Sequence, residues 1–254
     1  MFIDTHCHLS KKDYKDYEDI SKVIEDNRNA NVLRIVISGC TKEDIDETIE
    51  IINNYSDVYA TIGYHPEEAD NIEKQDLIKL EELLSLEKVI GIGEIGLDYH
   101  YSKENKEKQL KLFEYQLALA EKYHLPVVIH TRDATKDTID ILRKYNLKGI
   151  IHCFSGSYET ACQYIDMGFL LGVGGVITFK NCHLKDVIKK MTLKNIVLET
   201  DSPYLSPVPY RGKVNSSKNI PIIARFLANE LNQDIDIIEK ITTENTKLLF
   251  TKLK

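Results

Sequence analysis

The sequence predicts a (β/α)8 TIM barrel formed as a single domain over residues 1–254. Three observations predict it: eight short β-type runs, helical spacing between most of them, and a length of 254 residues, which suits one such barrel. The runs fall at residues 2–6, 33–38, 58–63, 89–95, 126–130, 149–153, 169–173 and 196–199. Strands alternating with helices call for a parallel sheet, and eight repeats at this length favour closure over an open doubly wound sheet. The clearest helix spans residues 104–123, where Leu110, Phe113, Leu117 and Ala120 share one face. Residues 220–250 read as two further helices on the outside, with Pro221 tolerated in a first turn. No linker, low-complexity segment or repeat divides the chain.

Composition narrows the class. With 43% hydrophobic and 29% charged residues the chain can bury an ordinary core. Its longest near-apolar stretch, residues 169–179, is too short to cross a bilayer, so no membrane contact is expected. The N-terminus lacks the basic start and apolar run of a secretory signal, and a cytoplasmic location is expected. Five scattered cysteines without a C-x-x-C pair predict free thiols rather than disulfides or a zinc ribbon. A net charge of −7 argues against a generally basic nucleic-acid-binding surface. A phosphate substrate would then need local positive charge, such as bound metal.

The chemistry gathers at strand ends. His6 and His8 close the first run, and a strand's period of two puts both imidazoles on one face and Cys7 on the other. An H-x-H pair alone is a weak signal. Glu94, His130, His152 and Asp201, however, lie at or just after the ends of runs four, five, six and eight. In a barrel those ends converge on the rim that carries active sites. Four imidazoles and two carboxylates exceed what one tetrahedral ion with an open position can use, so two divalent ions are expected. Glu94 is placed to bridge them, with His6, His8 and Asp201 completing one site and His130 and His152 the other. Imidazole-rich sites suit Zn, Mn, Co, Ni or Fe better than Mg. Alternation turns Cys153 away from His152.

His65 and Arg132 also fall on the expected rim, as substrate-binding candidates. Arg211 and Lys213 follow the last run and add positive charge. His124 and His183 read as solvated. Gly91-Ile-Gly-Glu-Ile-Gly96 spells a dinucleotide fingerprint, but it lies inside an apolar run rather than at a strand-to-helix turn, so nicotinamide binding is not expected. Gly172-Val-Gly-Gly175 lacks the Lys-Ser/Thr of a P-loop.

Six motifs in order, Phe2-Ile-Asp-Thr-His-Cys-His-Leu9, Gly63-Tyr-His-Pro66, Gly93-Glu-Ile-Gly-Leu-Asp-Tyr99, Pro126-Val-Val-Ile-His-Thr-Arg-Asp-Ala134, Ile151-His-Cys-Phe-Ser-Gly156 and Leu198-Glu-Thr-Asp-Ser-Pro-Tyr-Leu205, resemble the TatD family of metal-dependent deoxyribonucleases. The resemblance implies an amidohydrolase-like barrel, two divalent metals on the six residues above, and hydrolysis of DNA from the 3′ end. One departure stands out: Arg211-Gly-Lys-Val-Asn215 is followed by Ser216 and Ser217 where the family commonly has Glu-Pro. Because that loop is outside the expected cage, the change bears on substrate detail.

The expected reaction uses a hydroxide shared by the two metals. Asp201 orients it and takes its proton, Glu94 bridges, and His65, Arg132 and Arg211 hold phosphoryl oxygens. The expected partner is DNA, chiefly single-stranded ends, on whose bases Tyr64, Tyr99, Tyr101 and Tyr204 are placed to stack. The alternatives are a D-aminoacyl-tRNA deacylase, another small-molecule ester or amide hydrolase, and a non-catalytic scaffold. The last is disfavoured because all six ligands are present.

Overall fold

Each β-type run becomes a strand in the computed structural model, which describes residues 1–14, 19–100 and 104–254. Among them are strands β1 (Phe2–Cys7), β2 (Val32–Gly39), β3 (Val58–Ile62), β4 (Val89–Asp98), β5 (Val127–Arg132), β6 (Gly149–Ile151), β7 (Phe169–Val173) and β8 (Ile196–Leu198). They pair in parallel in chain order. Helices α1 (Ile20–Asn29), α2 (Lys42–Asn54), α3 (Lys74–Leu83), α4 (Lys106–Tyr123), α5 (Thr135–Leu142), α6 (Tyr158–Asp166) and α7 (Leu184–Ile188) lie between successive strands. The chain then adds α8 (Ile220–Leu231), with Pro221 in its first turn, and α9 (Ile235–Leu249). The result is a nearly closed TIM barrel.

Two cores hold it together. Outward side chains such as Ile35, Ile62, Ile95 and Leu171 pack under the helices against Phe113, Leu117 and Leu227. Inside, Ile3, Val36, Tyr59, Ile90, Val128, Ile150 and Val197 form a floor layer, which Phe250 and Leu253 plug from below. The upper half of the interior is left to polar residues.

The β8–β1 seam closes by an irregular set of bonds. Thr5 Oγ1 donates to Leu198 O at 3.0 Å, and Asp201 N donates to His6 O at 3.0 Å. Asp4, fully buried, accepts from Thr200 N at 3.0 Å, Thr200 Oγ1 at 2.6 Å and His6 N at 3.3 Å. Burial pushes the Asp4 carboxyl up to about 6, against the lowering effect of these bonds. His6 and Asp201 therefore sit on opposite sides of one clamped seam.

Alternation alone does not set which side chains face inward. In β1, Ile3 belongs to the floor and Cys7 to the outer core, so an odd residue intervenes before His6 turns inward. The register supplies it, since Asp4 pairs with Ile35 but Cys7 with Ile37. The same offset occurs in β4, where Ile92 pairs with Val127 and Ile95 with Ile129 on either side of Glu94. Each bulge re-aims the chain just before a candidate ligand.

Helix α4 fixes the rim through two buried amides seven residues apart on one face. Gln116 accepts from Tyr64 N at 2.7 Å and donates to Tyr64 O at 3.1 Å. Gln109 accepts from Asp98 N at 2.9 Å and donates to Asp98 O at 2.8 Å. Strand ends that would otherwise leave polar groups orphaned are thus held in place beside His65 and His130. No helix among the described residues is long and apolar enough to cross a membrane.

Candidate metal centre

A cleft of about 460 Å³ opens at the C-terminal rim, lined by His8, His65, Glu94, His130, His152 and Asp201 among others, with His6 fully buried beneath. The structure thus gathers all six candidate ligands and His65 within one cage.

Glu94 stands at its centre and divides its two oxygens. Oε2 lies 3.4 Å from His6 Nε2 and 3.7 Å from His8 Nε2. Asp201 Oδ1 lies 3.6 Å and 3.5 Å from the same two nitrogens. Ligands about 2.0–2.2 Å from a tetrahedral ion lie about 3.3–3.6 Å from one another, so these spacings fit a divalent ion. Oε1 turns the other way, 2.7 Å from His130 Nδ1, 3.6 Å from His152 Nε2 and 3.9 Å from His65 Nε2. His152 Nε2 also lies 3.8 Å from Asp201 Oδ1, so the nitrogen and oxygen donors form one continuous cluster suited to divalent metal.

The tautomers agree with ligand duty. His8 Nδ1 faces Ser38 O at 3.2 Å, which leaves Nε2 bare toward the cage. His130 Nε2 is held 3.1 Å from Asp98 Oδ2, turning Nδ1 inward. His152 Nδ1 lies 3.2 Å from Glu199 Oε1, without hydrogen-bond alignment, and its Nε2 faces the cage. Neither nitrogen of His6 has a hydrogen-bond partner among the described residues, although the ring is fully buried. A buried imidazole left so is the pattern expected where an ion supplies the missing bond.

Electrostatics point the same way. Burial works against charge on His6, yet the Asp201 and Glu94 carboxylates outweigh it and push the imidazole up to about 10. His130 is likewise pushed to about 10 by Asp98 and Glu94 against its own burial. Glu94 and Asp201 are held well below the usual carboxylate range, the histidines overcoming desolvation. Such a concentration of negative charge facing imidazoles favours any cation placed between them. His65 is different: burial pushes it down to about 4. Its Nδ1 accepts from Glu67 N at 3.3 Å, so its proton resides on Nε2, facing the cleft.

Other expectations fare unevenly. Arg132 is exposed and lines the cleft, whereas Arg211 does not: its guanidinium lies over the Phe179 ring, 4.5 Å from the centroid. Lys213 lies in a separate cavity with Tyr210 and Val214. Among the tyrosines, Tyr204 lines the cleft and is 56% exposed, which leaves its face available. Tyr64 and Tyr99 are buried, their hydroxyls donating to Asp76 O and Asp137 Oδ2, and so cannot stack on a base. Tyr101 lies outside the described residues. His124 and His183 are exposed and neither lines the cleft.

Cys7 follows expectation, whereas Cys153 and Cys40 do not. Cys7 faces the outer core, its thiol 3.5 Å from Val36 O. Because β6 ends at Ile151, strand alternation does not govern Cys153, which adopts a left-handed backbone with φ of 46°. Its thiol groups with a ring nitrogen of His152 and with Glu199. Cys40, which no spacing singled out, lines the cleft 3.7 Å from Glu94 Oε2.

Ser216 and Ser217 are buried, and Ser216 Oγ donates to Asn27 Oδ1 on α1 at 2.9 Å. The departure at these positions is absorbed by packing rather than presented to the cleft.

Asp98 and Glu199 were missed because a carboxylate that braces a histidine carries no spacing signal of its own. Glu199 is fully buried and accepts from Cys153 N at 2.6 Å while backing His152. Its room comes from Gly172 on β7, where a Cβ would stand 2.2 Å from Glu199 Oε2. Glu199→Gln is expected to weaken metal binding about ten- to a hundred-fold with the fold intact. Calorimetric titration with Zn or Mn reads this directly, and wild-type affinity in the variant would remove the bracing role.

The sequence matches the family described as TatD related DNase over residues 3–251. It is 41% identical over 254 residues to an uncharacterized metal-dependent hydrolase, YabD, of Bacillus subtilis (strain 168), covering 98% of this chain and 99% of that protein. Among solved structures, YjjV, a TatD homolog from Escherichia coli K12, superposes with a TM-score of 0.91 at 29% identity, covering 98% of each chain. A TatD family hydrolase from Entamoeba histolytica gives 0.88 at 26%, over 99% of this chain and 98% of that one.

Proposed function

The chain belongs to the TatD related DNase family, and from that premise we propose that this metal-dependent hydrolase cleaves phosphodiester bonds of DNA, working from the 3′ end of single strands. The observation that carries the reading is the division of Glu94, Oε2 toward His6 and His8 and Oε1 toward His130 and His152, which suits a pair of divalent ions. His6, His8, Glu94 and Asp201 would hold one, and Glu94, His130 and His152 the other, with His65 adjacent. When bound, such ions activate water near neutral pH and neutralise charge on phosphoryl oxygens.

The protein's own groups supply the rest. Asp201, whose carboxyl is held below the usual carboxylate range, would accept the proton of the attacking water as its oxygen adds to phosphorus, while the bond to the leaving deoxyribose oxygen breaks and that oxygen takes a proton from solvent water. His65, neutral at physiological pH, donates from Nε2 to a phosphoryl oxygen, and Arg132 holds a neighbouring phosphate at the cleft wall. Tyr204 offers an exposed ring on which the terminal base can stack.

One observation favours a second reading. Asp13, Asp44, Glu67 and Glu68 also line the cleft, an acidic wall that would attract the ammonium group of an aminoacyl ester. The same cage would then hydrolyse D-aminoacyl-tRNA. End-labelled single-stranded DNA, duplex DNA and D-aminoacyl-tRNA, each with the metal-loaded protein, separate the two. Mononucleotides should leave the 3′ end, stop with chelator, and slow with a 3′-phosphorothioate cap. Equal cutting of circular and linear strands would end the exonuclease reading, and intact DNA beside hydrolysed aminoacyl-tRNA would install the second.

A further inference from the structure

Beyond the cleft wall at Tyr204 the chain makes a loop that presents apolar and cationic side chains together. Val208, Tyr210 and Val214 are 47%, 42% and 44% exposed, and every residue from 208 to 214 is exposed. Residues 204–219 hold Arg211, Lys213 and Lys218 and no carboxylate, in a protein of net charge −7. The loop is also fixed. Asn215 Nδ2 donates to Thr200 O at 3.0 Å and Tyr204 O at 2.7 Å, and Ser206 Oγ donates to Lys213 O at 2.7 Å. Val208 N donates to Thr178 Oγ1 at 2.9 Å, tying the loop to the turn after β7.

These bonds root the loop at Tyr204, itself part of the catalytic cleft, and hold its outer part in one conformation. The Arg211 guanidinium stands 4.5 Å from the Phe179 ring centroid, and Lys213 Nζ stands 5.9 Å from that of Tyr210. Aromatic faces interleaved with cations on a rigid support are what a single strand needs: bases stack on rings while phosphates meet charge. The carboxylates that line the cleft, Asp13, Asp44, Glu67 and Glu68, repel a polyanion. The loop, by contrast, carries two exposed cations and no carboxylate.

We propose that the loop carrying Tyr210, Arg211 and Lys213 is a second binding surface for the body of a single-stranded nucleic acid whose end lies in the cleft. The proposal rests on the nuclease reading and deepens it: the surface makes affinity depend on strand length, because only a strand longer than the cleft reaches the loop.

The test combines Tyr210→Ala, Arg211→Ala and Lys213→Ala in one variant. Anisotropy of fluorescein-labelled phosphorothioate oligothymidylates of about four and about twenty nucleotides is followed with the metal-loaded protein across a salt series. The variant should lose about ten-fold affinity for the long strand and none for the short one. Its salt dependence should flatten by roughly 1.4 in log–log slope, about 0.7 for each cation removed. Turnover of a small chromogenic phosphodiester by the metal-loaded variant should match wild type. Arg211→Glu with Lys213→Glu, which keeps Tyr210, should weaken the long strand further at low salt. Wild-type length dependence in both variants, with DNA still degraded, overturns the surface and leaves the nuclease reading standing. If metal-loaded wild type neither binds nor degrades DNA of either length, both fall together.

Discussion

Glu94→Ala is expected to abolish turnover and strip the protein of most of its metal. The carboxylate reaches His6 and His8 with one oxygen and His130 and His152 with the other, so its removal takes a donor from both candidate sites at once. On the two-ion reading, cations left facing each other with less neutralisation would also repel more strongly in a buried site than in water. Losing a group that merely orients a ligand costs about ten- to a hundred-fold, so losing a shared ligand should cost more than about a hundred-fold in rate. Glu94→Gln keeps the volume and removes the charge, and should fail almost as badly. Metal content by mass spectrometry alongside kcat checks this. Retention of both ions with a near-normal rate would show that Glu94 does not bridge them.

Asp4→Ala should have the largest effect on stability, and it should reach the site as well. The substitution leaves Thr200 N, Thr200 Oγ1 and His6 N without their acceptor in a fully buried place. Each orphaned donor costs about 1–3 kcal/mol, so the three together should cost at least about 3 kcal/mol. At about 2–4 °C per kcal/mol for a chain of this size, the melting temperature should drop by roughly 10 °C or more. Metal affinity should decline too, because His6 and Asp201 flank the seam that Asp4 closes. Asp4→Asn keeps one acceptor oxygen for Thr200 N and should recover part of both losses. Thermal denaturation with and without metal measures them. A wild-type melting temperature in Asp4→Ala would mean that the remaining seam bonds suffice.

How much of this was legible beforehand depends on the range of the interaction. Helix α4 shows the division well. The apolar face through Phe113, Leu117 and Ala120 is a local periodicity, and it does bury. Gln109 and Gln116 on the same helix gave no such signal, because their partners, Asp98 and Tyr64, are 11 and 52 residues away in the chain. Arg211 and Tyr99 illustrate the opposite error. Their positions in the motifs suggested the cleft, while a ring and a carboxylate from other elements claimed their side chains.

The sequence by itself determined the barrel and the convergence of His6, His8, Glu94, His130, His152 and Asp201. Strand and helix periods are local, and a parallel barrel brings all strand ends to one rim whatever its details. Only the tertiary structure decided which way those side chains face and what braces them. Bulges before His6 and around Glu94 reverse the phase that simple alternation would give. Asp98 becomes a brace only once β4 lies beside β5, and Glu199 only once the end of β8 reaches across β7 to the residue that follows β6. The room for Glu199 is a missing side chain at Gly172, on a neighbouring strand. Contacts between residues far apart in the chain leave no periodic trace, and it is these that turn a converging set of ligands into a site.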